Sequence, residues 1–414
     1  MRRALALAAA GLGRTSPNPS VGCVIVRGGR VVGEGRTAPP GGPHAEVVAL
    51  REAGEAASGA VAYTTLEPCD HQGRTGPCSL ALIGAGVAEV VYALADPNPV
   101  AAGGAARLRA AGVAVRGGVL ADEARAVLRP WLHAVGGSPL PWVAAKFACS
   151  LDGRTATRTG ASKWITGAPA RARGHELRQR SDAVMVGVGT VLADDPSLDP
   201  RPEGTTPAPG LKVVLDTHLR TPPDARLLPS PGPVLIACGE GADAGRRAAL
   251  KAAGAEVVSF PSVGARRPGP RAGAHLPPLA MQAATQHQPH PPEMGPGTGP
   301  GRRRDKPGAG RPDLRGVLEH LRQRDVLSVM IEGGAGLLGS AFDAGLVDEV
   351  WAFVAPLVIG GGQPAVAGAG PNRLEDAFRL HDVHTEALGP DILVRGLTAE
   401  ERTQIPEAPC SLAS

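Results

Sequence analysis

Aromatic residues are scarce in this chain, 3% of 414 residues. Any hydrophobic core must therefore be built mainly from Ala, Val and Leu, and an aromatic-lined groove for nucleic-acid bases has little to be made from. Six cysteines in a chain of this length are too few for a disulfide framework, so reduced thiols in the cytoplasm are expected. No run approaches the roughly 18 apolar residues of a membrane span. Met1-Arg2-Arg3 followed by ALALAAAGLG resembles a signal peptide only faintly. The TSPNPSVG that comes next reads as domain sequence, so the start is read as an Ala-rich helix ending near Gly11 or Gly13. Positive charge is not spread over the chain either. The net charge is +4, but residues 262–312 hold eight Lys or Arg against Glu293 and Asp305, leaving a slightly acidic remainder. Neither a nucleic-acid nor a membrane partner is expected.

What is present is hydrophobic residue, 43%, enough for two domains each with its own core. VGCVIV and RVVGEG flank Arg27-Gly28-Gly29-Arg30, a strand–turn–strand pattern. A helix (HAEVVALREAGEAA), a strand (AVAYTTLEP), a helix (CSLALIGAG) and a strand (AEVVYALAD) follow. This alternation predicts an α/β layered domain with a largely parallel sheet over residues 1–140, closing at GGSPLP. The second half restarts with a strand (WVAAKFACS) and a helix (ARARGHELRQR), then four β-rich runs: DAVMVGVGT, LKVVLDT, PVLIAC and AEVVSF. Residues 262–312 lose apolar periodicity and are read as a disordered Pro/Gly/Arg-rich insert. A helix (DLRGVLEHLRQRD), a strand (VLSVMIEGG), a helix (AGLLGSAFDAGL) and a strand (DEVWAFVAPLVIG) complete a second α/β domain over 141–400, with 401–414 as a tail.

His44-Ala45-Glu46 opens the first of these helices, and Pro68-Cys69 and Pro77-Cys78 lie downstream. One His and two Cys are ligand types that zinc prefers, and three protein ligands leave a fourth position for water, whose pKa the metal lowers to about 7. Glu46 is near enough to meet that water without being a ligand, as a proton shuttle requires. Cys78 begins a helix, whose N-terminus favours a thiolate. The pattern is that of the zinc deaminases, H-x-E followed by P-C-x-x-C, except that eight residues separate the cysteines.

Together these residues resemble the bifunctional deaminase–reductases of riboflavin biosynthesis. In the first half the resemblance rests on Thr15-x-Pro17-Asn18-Pro19-x-Val21-Gly22, Pro43 to Glu46, Thr65 to Cys69, Gly73-Arg74-Thr75 and Cys78. In the second it rests on Lys146-x-Ala148-x-Ser150-Leu151-Asp152-Gly153, Ser162-x-Trp164-Ile165-Thr166, Leu177-Arg178, Gly189-Thr190, Asp194-Asp195-Pro196 and Glu332-Gly333-Gly334. A long inter-cysteine loop belongs to the family. The resemblance implies a cytidine-deaminase-like fold followed by a dihydrofolate-reductase-like one. It implies deamination of a phosphoribosylamino-pyrimidine, a small-molecule substrate, then reduction of its ribosyl chain with NADPH, in a homo-oligomer. His44, Cys69 and Cys78 would bind zinc, Glu46 would shuttle protons, and Asn18, His71 and Arg74 would contact base or ribose phosphate. Three departures stand in this chain: Thr37 for a His, Asp70 for a Ser, and Gln72 for a His or aromatic.

In the second half, Gly187-Val188-Gly189-Thr190 is a weak dinucleotide signal by itself. Glu332-Gly333-Gly334-Ala335-Gly336 follows an apolar strand and opens a helix, so its N–H groups can receive a phosphate. The resemblance assigns NADPH to Ala148, Trp164, Thr190, Asp194, Thr217 and the segment Gly334, Ala335, Gly336, Leu337, Leu338, Gly339 and Ser340. It assigns substrate to Ser162, Arg178, Leu198, Arg201 and Glu332, the two arginines suiting a sugar phosphate. Lys146 is the candidate for polarising or protonating the opened sugar; a phosphate contact or a structural charge is the alternative. A deaminase of nucleosides or RNA bases with a diverged reductase half is the competing reading.

Overall fold

The computed structural model of the chain describes residues 1–73, 76–201, 210–262 and 311–399. Arg74, nearly all of the basic insert and the tail lie outside the described residues. The first domain runs α1 (Arg2–Gly11), β1 (Gly22–Arg27), β2 (Arg30–Arg36), α2 (Ala45–Ala53), β3 (Val61–Leu66), α3 (Cys78–Gly84), β4 (Glu89–Leu94), α4 (Gly104–Ala110), β5 (Ala114–Arg116) and α5 (Ala121–Val135). Its sheet has the order β2-β1-β3-β4-β5. Only β3–β4 and β4–β5 are parallel; β1 pairs antiparallel with both β2 and β3. The expectation of a largely parallel sheet is thus corrected. The two-residue turn at Gly28-Gly29 can only reverse the chain, which fixes β1 against β2 in antiparallel register.

An Ala-rich core gains little per side chain, since burial contributes in proportion to apolar area. It compensates by close approach. A Cβ at Gly33 would lie 2.2 Å from the Ala49 carbonyl oxygen, and one at Gly35 2.1 Å from that of Ala45. Glycine on β2 therefore lets α2 settle directly onto the strand. Ala45, Ala49 and Ala53 are buried there, and the helix start is fixed against the sheet. That start carries His44 and Glu46.

The second domain contains β6 (Trp142–Ser150), β7 (Arg154–Ala156), α6 (Ala168–Arg180), β8 (Ala183–Gly187), α7 (Val188–Asp194), β9 (Leu211–Leu215), β10 (Val234–Gly239), α8 (Ala244–Ala252), β11 (Glu256–Phe260), α9 (Leu314–Arg322), β12 (Ser328–Glu332), α10 (Ala335–Asp343), β13 (Glu349–Ala355), β14 (Gln363–Pro364), β15 (His381–Leu388) and β16 (Asp391–Leu397). Its main sheet has the order β11-β10-β9-β8-β12-β6-β13-β16-β15. Pairings from β11 to β13 are parallel, and the last two are antiparallel. Leu177 of α6, Val191 of α7 and Leu250 of α8 bury against one face. Val317 and Leu321 of α9 and Leu338 of α10 bury against the other. The run DAVMVGVGT, read as β-rich, supplies β8 only as far as Gly187, and its last residues begin α7 at Val188.

The domains are tied through Asp182. Ser16 Oγ donates to its Oδ1 at 2.8 Å, and the Leu327 and Ser328 amides donate to its Oδ2, each at 2.9 Å. Asp348, just before β13, accepts from the Val143 amide at 2.7 Å. Burial, with Glu349 next to it, raises its carboxyl to about 6. A carboxyl whose folded pKa lies above its unfolded value of about 3.9 binds more protons in the native state between roughly pH 4 and 6, so stability falls as pH rises through that window. Asp348→Asn keeps an acceptor for Val143 and removes the charge. We expect it to stabilise the protein by about 1–2 kcal/mol at pH 7.5 and not at pH 4, as read from urea unfolding at both values.

Candidate active sites

In the first domain three elements converge. His44 is the N-cap residue of α2, Cys69 follows β3, and Cys78 opens α3 behind Pro77. The His44 Nδ1 lies 3.3 Å from the Cys78 Sγ and 3.5 Å from the Cys69 Sγ, and the three donor atoms lie within 4.8 Å of one another. Cys69 is 8% exposed and Cys78 is fully buried. A hydrogen bond from Cys78 pulls the Cys69 thiol well down, while the same bond and burial push Cys78 up. Two buried sulfurs and an imidazole converging within 4.8 Å make a donor set that suits a divalent cation, which would bind both sulfurs as thiolates. Glu46, in the first turn of α2, is 4% exposed. Burial raises its carboxyl above the usual range, and it faces His44 and both cysteines.

The loop between the cysteines is braced on both sides. The Ser79 amide donates to the Cys69 carbonyl at 3.2 Å, and Ser79 Oγ donates to Asp70 at 2.6 Å. Arg107 also binds Asp70, and these partners hold its carboxyl below its ordinary value, with Arg107 the larger cause. Asp70 is thus a clasp between the loop, α3 and α4. Thr37 is equally committed: its Oγ1 accepts from the Val21 amide at 3.0 Å and its own amide donates to the Val21 carbonyl at 2.9 Å. Of the three departures, only Gln72 is exposed.

His71 is half-buried, and its Nδ1 is enclosed with no hydrogen-bond partner among the described residues. Asn18 lies on the loop before β1 and lines a small cavity shared with α5 and the second domain. Two carboxylates went unassigned in the sequence. Glu67 accepts from the Ala105 amide at 2.9 Å and the Asp96 amide at 3.2 Å, tying β3 to α4. Asp96 is raised to about 6, chiefly by burial, and lies near Cys69 and His71. The Asp96-Pro97-Asn98-Pro99 turn after β4 was the available signal.

In the second domain a charged cluster sits where β6, β12 and α6 meet. Lys146 Nζ donates to Glu332 Oε1 at 2.9 Å. Arg178 forks onto the same carboxylate, Nε to Oε2 at 2.6 Å and Nη2 to Oε1 at 3.0 Å. Burial alone would raise Glu332, but Arg178 and Lys146 hold it well below the usual carboxylate range. Lys146 and Glu332 are register partners on β6 and β12. His175, one turn before Arg178, was not foreseen. Burial first, then Arg178 and Arg201, lower it to about 4, so this imidazole is neutral in neutral solution.

Ala148 lies on β6 and Ser162 on the loop before α6, both half-buried, and Trp164 is 70% exposed with Arg171 stacked on its ring at 4.5 Å. Asp194 pairs with Lys163 at 3.7 Å. Gly334 caps α10 at φ 80, and a Cβ there would meet Thr190 Oγ1 at 3.4 Å. That left-handed residue brings the β12–α10 and β8–α7 junctions together, and nothing lies within 4 Å of a Cβ at Gly336. The open first turn of α10 fits a cofactor phosphate. Ala335 and Leu337 belong to that turn. Farther along, Leu338 is in the core, Gly339 lies against the Ala367–Gly368 backbone, and Ser340 Oγ returns to the Gly336 carbonyl. Leu198 is buried in the core, which leaves its backbone for any ligand, and Arg201 is exposed. Thr217 follows β9.

Compared with models of known families, residues 1–94 match the cytidine and deoxycytidylate deaminase zinc-binding region, and residues 141–394 match the RibD C-terminal domain. The chain is 38% identical over 398 residues to riboflavin biosynthesis protein RibD of Actinobacillus pleuropneumoniae, covering 95% of this chain and 93% of that one. The solved structure of Acinetobacter baumannii RibD matches with a TM-score of 0.73 at 34% identity, over 96% of this chain and 97% of that one. The diaminohydroxyphosphoribosylaminopyrimidine deaminase/5-amino-6-(5-phosphoribosylamino)uracil reductase of Thermotoga maritima also gives a TM-score of 0.73, at 29% identity over 95% and 96% of the two chains.

Proposed function

Since the chain belongs to the RibD family of riboflavin biosynthesis, we propose that its two sites act in turn on a phosphoribosyl pyrimidine. It is a bifunctional deaminase and reductase, a cytidine-deaminase-like domain followed by a dihydrofolate-reductase-like one. The first site would hydrolyse the 2-amino group of 2,5-diamino-6-(5-phosphoribosylamino)pyrimidin-4-one, releasing ammonia and leaving a carbonyl. The second would reduce the ribosyl chain of that product to ribityl.

The observation that carries the reading is the His44, Cys69 and Cys78 triad, with buried Glu46 beside it. These three would hold zinc, which when bound supplies the Lewis acidity that brings water near deprotonation at neutral pH. Glu46 takes the proton from water at its carboxylate and delivers it to the departing amine. Asp70, Glu67 and Ser79 keep the ligand loop in place. His71 and Asn18 are read as substrate contacts, and so is Arg74.

In the second site NADPH supplies the hydride when bound. Arg178 and Arg201 suit the sugar phosphate, and Lys146, already hydrogen-bonded to Glu332, is placed to donate a proton to the opened sugar. The cytoplasm is the compartment that suits the free cysteines, and no described helix is long and apolar enough to cross a membrane. A second copy is the protein partner we infer, for which β15, exposed and the last strand of the sheet among the described residues, offers an edge to pair with.

The test is a split assay with the diaminopyrimidine ribosyl phosphate, with and without a zinc chelator and NADPH. Chelation is expected to abolish deamination while leaving NADPH oxidation on the deaminated intermediate intact. Deamination that survives complete metal removal would overturn the first assignment. Deamination without any reduction would overturn the second.

A further inference from the structure

The residues of the reductase reading fall in spatial order along one edge of the large sheet. At the C-terminal ends of neighbouring parallel strands stand Glu332 and Gly334 (β12), Gly187 and Thr190 (β8), and Thr217 (β9), with Lys146 of β6 in register with Glu332 and Ala148 just beyond it. Such an edge is where open α/β sheets bind dinucleotides. A cofactor held with its nicotinamide beside Lys146 and its pyrophosphate at Gly334 would reach with its adenosine toward the β9 end, by Thr217.

Just beyond Thr217 lies a pocket of about 310 Å³ between residues 219–223 and α8, lined by Arg220, Thr221, Pro222, Arg246, Ala249 and Leu250. Both arginines are exposed, and among the described residues neither guanidinium is paired with a carboxylate. Arg246 Nη1 donates to the His218 carbonyl at 3.3 Å, one residue past Thr217. The turn that carries Arg220 is fixed from beneath. Thr221 donates its amide and its hydroxyl to the buried Asp216 Oδ2 at 2.7 and 2.8 Å, and Leu219 and Leu250 are anchored in the core. Two cations on a rigid frame, without a protein counter-ion, form a receptor for a compact dianion.

Resting on the reductase reading, we propose that Arg220 and Arg246 bind the 2′-phosphate of the NADPH adenosine and set the preference for NADPH over NADH. That phosphate is the only group distinguishing the two cofactors. An arginine near the adenosine ribose is the physical means by which such a preference arises.

The experiment is isothermal titration of the full-length protein with NADPH and, separately, with NADH. The wild type is compared with the Arg220→Gln/Arg246→Gln double variant, whose changed side chains are exposed and leave the core untouched. Each nucleotide titration is repeated in the presence of 2′,5′-ADP. The wild type is expected to prefer NADPH. The double variant is expected to lose about 30-fold or more in NADPH affinity with NADH affinity within about twofold, and 2′,5′-ADP is expected to compete only with the wild type. Unchanged NADPH affinity in the variant would overturn the proposal, and so would an equal loss for both nucleotides. A wild type that binds neither nucleotide would overturn the reductase reading itself, a result visible before any variant is made.

Discussion

Glu46→Gln is expected to lower deamination by about 10²- to 10⁴-fold, the usual contribution of a positioned general acid–base group, while bound zinc and NADPH-dependent reduction stay at wild-type levels. The three outcomes separate because of where Glu46 sits. It follows two residues behind His44 in the first turn of α2, is 4% exposed, and shares its surroundings with both cysteines. Gln has nearly the same shape, so the helix start and its glycine-backed seat on β2 are preserved. What disappears is the ability to take and return a proton. Metal analysis on the same sample distinguishes a lost shuttle from a lost ligand. Full deamination with zinc present would strip Glu46 of its role, and loss of zinc would make it part of the metal frame instead.

Glu332→Ala is expected to cost the second domain about 3–5 kcal/mol, the usual penalty for breaking a buried ion pair, and to abolish reduction. One carboxylate here answers two cations, Lys146 at 2.9 Å and the forked Arg178 at 2.6 and 3.0 Å. Removing it leaves both half-buried charges uncompensated. Differential scanning calorimetry should show the loss, with deamination retained at temperatures below the lowered transition. Glu332→Gln retains volume and one acceptor and is expected to fold better while still failing to reduce. If both variants melt and reduce like the wild type, the cluster is neither a structural nor a functional centre.

Much of the first site could be read in advance because its chemistry is local. His44 and Glu46 are neighbours on one helical turn, and each cysteine is marked by a proline before it. Elements with strong periodicity, such as α9 and β13, were equally plain. What escaped is what depends on tertiary partners. The antiparallel placement of β1 against β3 has no mark in either strand alone. The helices α4, α5 and α8 are short or Ala/Arg-rich, and β15, exposed along nearly its whole length, has no buried face to give it an alternation. Asp70 and Thr37 looked like losses from a binding pocket; in the fold each is spent on a neighbour, Ser79 and Arg107 for one, the Val21 backbone for the other. His175 shows the same limit. Its helix is polar nearly all round, so nothing in the sequence tells which of its side chains faces Lys146 and which faces water.

One junction has a bearing on the gene as well as the protein. Ser262 and Pro312 form an antiparallel bridge, and the Asp313 amide donates to the Pro261 carbonyl at 3.0 Å. The stretch between them therefore leaves and re-enters the domain at a single point. Closing a longer loop between two such fixed points costs only about 0.6 kcal/mol for each doubling. To folding, a change of length between Ser262 and Pro312 is therefore a small perturbation, and the gene has room there for insertion.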